Sequence, residues 1–417
     1  MNIVYLEHYA GSDRHGMEYR PFYLARRWAQ AGDTVTIVAS SFSHLRGVNP
    51  DLGDKPWAEE NIDGVRYFWI RGPRYEGNGL GRIRNMLSFL RGVSRYRAEI
   101  LKTGKPDVVI ASSTYPLDIY PARRIAGKYG AQLIYEVHDL WPLSPMTIGG
   151  MSKHHPFIVV MQRAENACYR SSDYVVSLLP CAKEHMTEHG MDPGKFVCIP
   201  NGILAQEWEA APDPAAAPYR EKLARYHEEG WFLIGYAGGH ALSNALDTCI
   251  EAGQEWRGKK LKLILVGQGV EKERLMKKAE ELGVTENVEF LPPVKKADIP
   301  ALLAQFDALY VGLQRSPLYR YGISLNKLMD YMMAGKPILF AGEVGNDMVA
   351  EAGCGLSIPP EDSHAVAEAA LRLAELPSSE REAMGRRGQE YILANNEYSG
   401  LADRFREVFE RGKFPKE

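Results

Sequence analysis

Short runs of β-branched and aromatic residues recur along the chain, separated by longer stretches whose apolar positions repeat at helical spacing. In the first half, Asn2–Leu6, Thr34–Ala39, Val65–Ile70, Asp107–Ser112, Gln132–Val137, Tyr174–Leu178 and Phe196–Ile199 read as strands. The repeat from Met17 to Ala31 predicts a helix closed by Gly32, a position that favours a residue without Cβ. Proline and alanine crowd Ala210–Pro218, too biased a stretch for a core element. A second alternation follows, with strands at Trp231–Tyr236, Leu261–Val266 and Asn287–Leu291 and helices from Asn244 and over Glu271–Leu282. Such alternation predicts an α/β protein of parallel sheets with crossover helices. Two doubly wound, Rossmann-like domains are expected, 1–202 and 203–397, joined near Asn201–Gly202. Ligands of such sheets lie at the carboxyl ends of the strands, which predicts a site in the cleft between the two domains.

Composition narrows the field. Lys and Arg number 50 against 53 Asp and Glu, a net charge of −3, too little positive charge for a bulk nucleic-acid footprint. The charge is uneven: residues 1–202 carry 24 basic and 20 acidic side chains, so an anionic acceptor or membrane surface fits that half better. The five cysteines are an odd number without a CxxC pair, which argues against a disulfide framework or zinc ribbon and for a reducing cytoplasm. The first residues lack the basic and apolar regions of a signal peptide, and no apolar run could span a bilayer. A cytoplasmic protein, soluble or peripheral on the inner face of the cell membrane, is expected.

Two glycine turns follow strands in the second half: Gly235-Tyr236-Ala237-Gly238-Gly239-His240 and Val266-Gly267-Gln268-Gly269. Glycine lets backbone approach a phosphate, and a following helix offers unpaired N–H groups; glycine is also used merely to turn. The second turn lacks the third glycine of the dinucleotide fingerprint. Farther on, a helix over Ser324–Ala334 places Lys327 and Asp330 three apart on one face. They could serve as a point charge for a diphosphate and an acceptor for ribose hydroxyls, or form a surface ion pair.

These features together resemble the retaining glycosyltransferases of family 4, which have the two-domain GT-B fold. The resemblance is carried by Lys327-Leu328-Met329-Asp330-Tyr331-Met332-Met333-Ala334-Gly335-Lys336-Pro337, by Gly16, Glu18, Leu24, Ala25, Gly32 and Val35, by Pro200-Asn201-Gly202 and by Val266–Gly269. The chain looks closest to the bacterial branch that builds O-antigen, capsule and related envelope sugars, N-acetylfucosamine-type transferases among them. The resemblance implies a nucleotide-sugar donor, most simply UDP-linked, on residues 203–397 and an acceptor on residues 1–202. It also implies that the last helix, about 398–417, packs back on the first domain. Gly16, Gly238, Gly239, His240, Arg320, Asn326, Lys327 and Asp330 are then the donor-binding candidates. The sequence departs from the family where many members carry an Arg and a Lys in the first glycine loop; here stand Gly239 and Asn244, and Arg320 and Lys327 are the candidate replacements. Gly322 stands where many members place a second Glu for the donor sugar.

No Asp-x-Asp occurs, so no metal–diphosphate clamp and no metal or other cofactor is expected; leaving-group charge would fall to helix N-termini, Lys327 and Arg320. By resemblance His138 lies near the donor sugar and phosphate, and Asp139 positions the acceptor or His138, where unaided reading gives a satisfied histidine and a helix cap. The polar loop after the first strand offers His8, Arg14 and His15 for an acceptor. A helix over 82–102 gathers Arg84, Arg91, Arg95 and Lys102 on one side and Met86, Phe89, Leu90 and Val93 on the other. It reads either as a core helix with solvated arginines or as a contact for anionic lipid or a polyprenyl-diphosphate-linked acceptor. The rivals to a transferase are a GT-B nucleotide-sugar epimerase and a catalytically silent sugar-nucleotide-binding subunit.

Overall fold

In a computed structural model that describes residues 1–77, 79–209 and 217–415, the alternation of strand and helix builds two sheets, one in each of two units. The first unit is Met1–Asn201 together with Tyr398–Glu417; the second is Gly202–Glu397. Most of the composition-biased stretch Ala210–Pro218 lies outside the described residues.

The first sheet contains β1 (Asn2–Leu6), β2 (Thr34–Ser40), β3 (Trp57–Ile62), β4 (Val65–Ile70), β5 (Val108–Ala111), β6 (Gln132–Val137), β7 (Tyr174–Ser177) and β8 (Phe196–Cys198). Their order is β3-β4-β2-β1-β5-β6-β7-β8, and every pair is parallel except β3–β4. Parallel strands covered on both faces read as continuous apolar runs, and β1, β5, β6 and β7 are almost wholly buried. Strand β3 has no such run. Its Glu59 and Glu60 lie at a sheet edge, and it turns back into β4 through Asp63-Gly64, both with positive φ, a two-residue hairpin connection that Asp-Gly favours. The principal helices of this unit are α1 (Arg20–Gln30), α2 (Leu80–Arg95), α3 (Ile119–Tyr129), α4 (Leu143–Thr147), α5 (Pro156–Ser171) and α6 (Lys183–Glu188). Helix α1 begins at Arg20 rather than Met17 because residues 7–19 form a hydrogen-bonded loop, with Gly11 N–H donating to Glu18 O at 2.7 Å and Ser12 N–H to Gly16 O at 3.0 Å.

The second sheet has the order β11-β10-β9-β12-β13-β14, parallel throughout, from β9 (Phe232–Ala237), β10 (Leu261–Val266), β11 (Val288–Leu291), β12 (Ala308–Gly312), β13 (Ile338–Ala341) and β14 (Gly355–Ile358). Helices α7 (Leu246–Ala252), α8 (Lys272–Glu281), α9 (Asn326–Met333), α10 (Ser363–Glu375) and α11 (Ser378–Asn396) accompany it. Two apolar clusters, one including Leu233, Leu309 and Met329 and the other Ile234, Leu263 and Leu339, fill its two faces.

The chain then returns to the first unit as α12 (Tyr398–Glu410), which packs on α1. Trp28 is buried between Phe405 and Phe409, with ring centroids 5.2 and 5.0 Å away, and its indole N–H donates to Ala402 O at 3.0 Å. Arg406 reaches Asp33 at 3.1 Å, which also holds the amino terminus at 2.7 Å. Truncating a buried aromatic side chain costs about 3–5 kcal/mol. Phe405→Ala is therefore expected to lower the urea stability of the first unit by about that much; a loss below about 1 kcal/mol would show that the returning helix is an accessory to the fold.

Candidate functional site

Three neighbouring strands of the first unit deliver polar side chains at their carboxyl ends: Glu7 follows β1, Ser112 follows β5, and Glu136 and His138 stand two apart where β6 ends. Alternate residues of a strand share a face, so Glu136 and His138 point the same way. His138 Nε2 lies 2.8 Å from Ser112 Oγ, 3.3 Å from Glu136 Oε2 and 4.0 Å from Glu7 Oε2. Its Nδ1 has no hydrogen-bond partner among the described residues, and the side chain is 13% exposed.

Glu136 is fully buried and fully engaged. Arg20 Nε donates to Oε1 at 2.9 Å, Ser112 Oγ donates to Oε2 at 2.6 Å, and the Tyr5 hydroxyl donates to the same oxygen. Burial alone would raise its pKa, but Arg20 and His138 hold the carboxyl well below the usual range. Burial likewise disfavours the His138 cation, and the Glu136 hydrogen bond and charge, with Glu7, overcome it and raise the imidazole pKa. Glu7 is different. One oxygen accepts from Tyr9 N–H at 2.9 Å, the other is buried without a partner, and burial pushes the carboxyl up to about 8 despite His138.

The other candidates of this unit separate from that cluster. Asp139 does not touch His138: it accepts from Leu140 N–H at 2.8 Å and Ser144 Oγ at 2.6 Å, fastening the turn that opens α4. Glu136 orients the histidine instead. His8 is a core residue, wholly buried with its ring nitrogens on Tyr115 and Asn85, and burial pushes its pKa down to about 3. His15 is buried beside Trp69 and bonded to Ser12 at 2.9 Å, so neither histidine is open to an acceptor in this structure. Arg14 is exposed, 3.5 Å from Glu60. Gly16 has φ +94°, and a Cβ there would crowd Gly47 N at 3.1 Å, so a side chain would be strained in this backbone conformation.

In the second unit, helix α9 stands beside the end of β9. The Tyr331 hydroxyl accepts from Ala237 N–H at 2.7 Å. Lys327 Nζ donates to the Tyr236 hydroxyl at 3.1 Å and to Asn244 Oδ1, and both partners donate to Gly239 O, at 2.7 and 2.9 Å. Lys327 is thus fastened to the first glycine loop from the helix side. Burial lowers its pKa to about 8. Asp330 makes no ion pair with it; burial raises the carboxyl to about 7, with Lys296 opposing and Glu207 adding to the rise. A surface ion pair between Lys327 and Asp330 is therefore not what this helix holds.

The two glycine turns serve different ends. A Cβ on Gly267 would stand 1.9 Å from Gly238 O, and one on Gly269 2.2 Å from His240 O. Those glycines let the loops pack together, joined by His240 N–H to Gln268 O at 3.0 Å. Gly239 faces open space, and a Cβ on Gly238 would meet only the Tyr236 ring and hydroxyl. The His240 ring is wholly buried beneath the turns near Tyr236 and Phe290, with neither nitrogen hydrogen-bonded, and burial lowers its pKa to about 4. It has no open face for a ligand here. Arg320 lies on a short turn, Pro317–Tyr321, stacked 4.7 Å over the Tyr321 ring. Asn326 opens α9 with an exposed side chain, and Gly322 ends the preceding turn with φ +96°.

The basic helix is shorter than expected. Helix α2 stops at Arg95, where Tyr96 leaves helical geometry, and Lys102 lies beyond it, paired with Glu59. Arg84, Arg91 and Arg95 are exposed on α2, and none has an acidic partner among the described residues. An open pocket of about 530 Å³ lies between α2 and α3, with Leu90, Leu117 and Tyr120 as apolar lining and Arg91, Arg95 and Arg124 around them. Leu80 and Leu87 of the same helix are also exposed. No helix among the described residues is long and apolar enough to cross a membrane.

Residues 15–202 match the family described as "Glycosyl transferase 4-like domain", and residues 232–375 that described as "Glycosyl transferases group 1". The chain is a GT-B-fold glycosyltransferase. This transferase is 25% identical over 397 residues to a D-inositol 3-phosphate glycosyltransferase of Salinispora tropica, covering 92% of this chain and 78% of the relative. It is 24% identical over 265 residues to the provisionally named colanic acid biosynthesis glycosyl transferase WcaI of Escherichia coli (strain K12), covering 62% and 64% of the two chains. Its fold matches the crystal structure of Anabaena Alr3699/HepE in complex with UDP and glucose, with a TM-score of 0.67, 15% identity and coverage of 98% and 99%.

Sequence reasoning passed over Glu7, Ser112 and Glu136 as partners of His138, and Tyr236 and Tyr331 as partners of the glycine loop. The Glu-x-His spacing at the end of β6 was the available signal. The transferase's Glu7 gives a pH test. Its folded pKa of about 8 exceeds the ordinary 4.5, so its stabilising contribution is full below about 4.5 and is lost as pH rises through about 8. Glu7→Gln, which stays neutral, should raise the melting temperature relative to the unsubstituted protein at pH 8 and leave it unchanged near pH 4. An equal effect at both values would mean that Glu7 is not held neutral.

Proposed function

We propose that this transferase moves a sugar, with N-acetylated aminosugars among the candidates, from a UDP-linked donor to a lipid-linked or other cell-envelope glycan acceptor, with retention at the anomeric carbon and without a metal cofactor. The carrying observation is Lys327, whose ammonium is bonded to Tyr236 and Asn244 at the first glycine loop. The loop has Gly239 and Asn244 where a diphosphate site in this family commonly has cations, and Lys327 brings a positive charge there from α9. The first turn of α9 adds backbone N–H groups and the positive end of a helix dipole. Asp330, without a hydrogen-bond partner among the described residues, takes ribose hydroxyls in this reading.

Breaking the anomeric C–O bond builds negative charge on the departing diphosphate, and preorganised donors aimed at that charge supply much of the rate. The leaving phosphate then accepts the acceptor's proton on the face from which the acceptor attacks. His138, whose protonated form Glu136 favours and whose Nδ1 has no hydrogen-bond partner among the described residues, serves the donor sugar or its phosphate. UDP as the nucleotide is supported by the UDP-bound Anabaena structure, and an envelope acceptor by the name of the Escherichia coli relative. Exposed arginines and leucines on α2 support a peripheral contact with anionic lipid at the cytoplasmic face of the membrane.

A thermal-shift panel of UDP, GDP, dTDP, CMP and ADP, run in EDTA, is expected to show a UDP-selective rise that fades in Lys327→Ala and Asp330→Ala. The UDP affinity should fall as pH rises beyond about 8, where Lys327 loses its proton, and Lys327→Arg should remove that fall. UDP binding without turnover of any UDP-sugar would favour the silent subunit. Replacing Arg91, Arg95 and Arg124 by Gln should weaken sedimentation with anionic vesicles at unchanged melting temperature; undiminished binding would reject the membrane contact.

A further inference from the structure

Away from both sites, α5 and α6 of the first unit bring together a second set of ionisable side chains. Glu165 on α5 is 1% exposed, His185 on α6 is 6% exposed, and His189 follows the end of α6, half-buried. The two histidines stand four apart, which puts them on one side of successive helical turns, with ring centroids 4.5 Å apart. His185 Nε2 lies 3.2 Å from Glu165 Oε1, and one ligand atom from each of the three residues falls within 4.8 Å of the others. Among the described residues this is the one group of three or more His, Cys, Asp or Glu side chains so arranged.

Three polar atoms around this group crowd on one amide nitrogen. Gln162 Nε2 sits 2.6 Å from Glu165 Oε2, 2.9 Å from Asn166 Oδ1 and 3.0 Å from His189 Nδ1. An amide nitrogen carries two hydrogens, so it can donate to at most two of these three neighbours. A carboxylate oxygen, an imidazole nitrogen and an amide oxygen thus converge on one small volume beside a single amide nitrogen. A divalent cation satisfies such a shell better than an amide does. The Tyr169 hydroxyl, 3.0 Å from Glu165 Oε1, already supplies the kind of outer hydrogen bond that orients a metal-bound carboxylate.

We infer that Glu165, His185 and His189 form a site for a first-row transition-metal dication, best matched by Zn²⁺. Two imidazoles and one carboxylate are borderline ligands suited to zinc rather than to calcium or magnesium. Binding requires the three ligand atoms to close to about 2.0–2.2 Å from the ion, a movement of side chains on two packed helices. Water or the Gln162 amide oxygen, turned inward, completes four-coordination. The ion would clamp α6 to α5; it takes no part in the donor chemistry above and does not depend on that reading. The competing account is a hydrogen-bonded knot that joins the same helices and needs no ion.

The test uses the full chain, stripped with EDTA and desalted, titrated calorimetrically with ZnCl₂ and followed by thermal shift. One saturable equivalent with a raised melting temperature is expected, together with visible ligand-field absorption on loading with Co²⁺ in place of zinc. His189→Gln, at a half-buried position, should weaken the tight equivalent by at least about tenfold, and His185→Gln should do the same. The metal-free His189→Gln protein should keep a cooperative melting transition close to that of the unsubstituted protein, showing that it is folded. Absence of saturable binding to the unsubstituted protein would overturn the site. So would affinity undiminished in folded His189→Gln, which would assign the zinc to exposed groups such as His154, His155 or Cys181.

Discussion

The first unit turns on one buried ion pair, Arg20 with Glu136. Removing two charges from water costs several kcal/mol for each unless geometry and further hydrogen bonds compensate. Here compensation is nearly complete: Arg20 adds donations to Pro200 O and to Ile199 O at 2.8 Å, while Glu136 also receives Ser112 and Tyr5. The start of α1, the strands β1, β5 and β6, and the chain just before Asn201 therefore all converge on one carboxylate. The same group raises the pKa of His138. Replacing Glu136 would loosen the fold and change the histidine together, so structural and functional roles are not separable at that position.

The second unit handles charge in the opposite way. Its two glycine turns are held by packing and backbone hydrogen bonds, with Gly267 and Gly269 tolerating no Cβ because the first loop's backbone occupies that space. What the loop lacks in cations is brought by a helix from elsewhere in the sequence. A lysine anchored through Tyr236 and Asn244 is less free than one on the loop itself, and such anchoring lowers the entropy lost when an anion is bound.

The strand–helix alternation was legible because parallel strands buried on both faces leave continuous apolar runs, as in β1, β6 and β10. β3 was not, since an edge strand with Glu59 and Glu60 carries no such run; the Asp63-Gly64 turn was its only sign. Helix ends drifted where loops had their own hydrogen bonding, at residues 7–19 and after Arg95. Within the sites, residue type was a poor guide to exposure. His8 and His240 are chemically fit to bind ligands and are buried, which no pattern of neighbours in sequence could reveal. Lys327 emerged from the sequence because it sits in a helix with a distinct flanking motif, whereas Glu7, Ser112 and Glu136 become partners only when three separate strands are laid side by side.

Lys327 and Asp330 show why an incomplete site can still be stable. Three apart on a helix, they are close enough to pair, yet each points to different neighbours. Both have moved toward neutrality, the lysine to about 8 and the aspartate to about 7. Burying a group that can shed its charge costs far less than burying a fixed one. A diphosphate at Lys327 would draw a proton onto the amine, while hydroxyls donated to Asp330 would favour the carboxylate and release one. The two exchanges oppose each other near neutral pH, so ligand binding there requires little net proton transfer with solvent. Above about 8 only the lysine term remains, and binding must then bring its own proton. Such a site is thus inexpensive to keep folded, and under the proposed function the donor would restore the charges that recognise it.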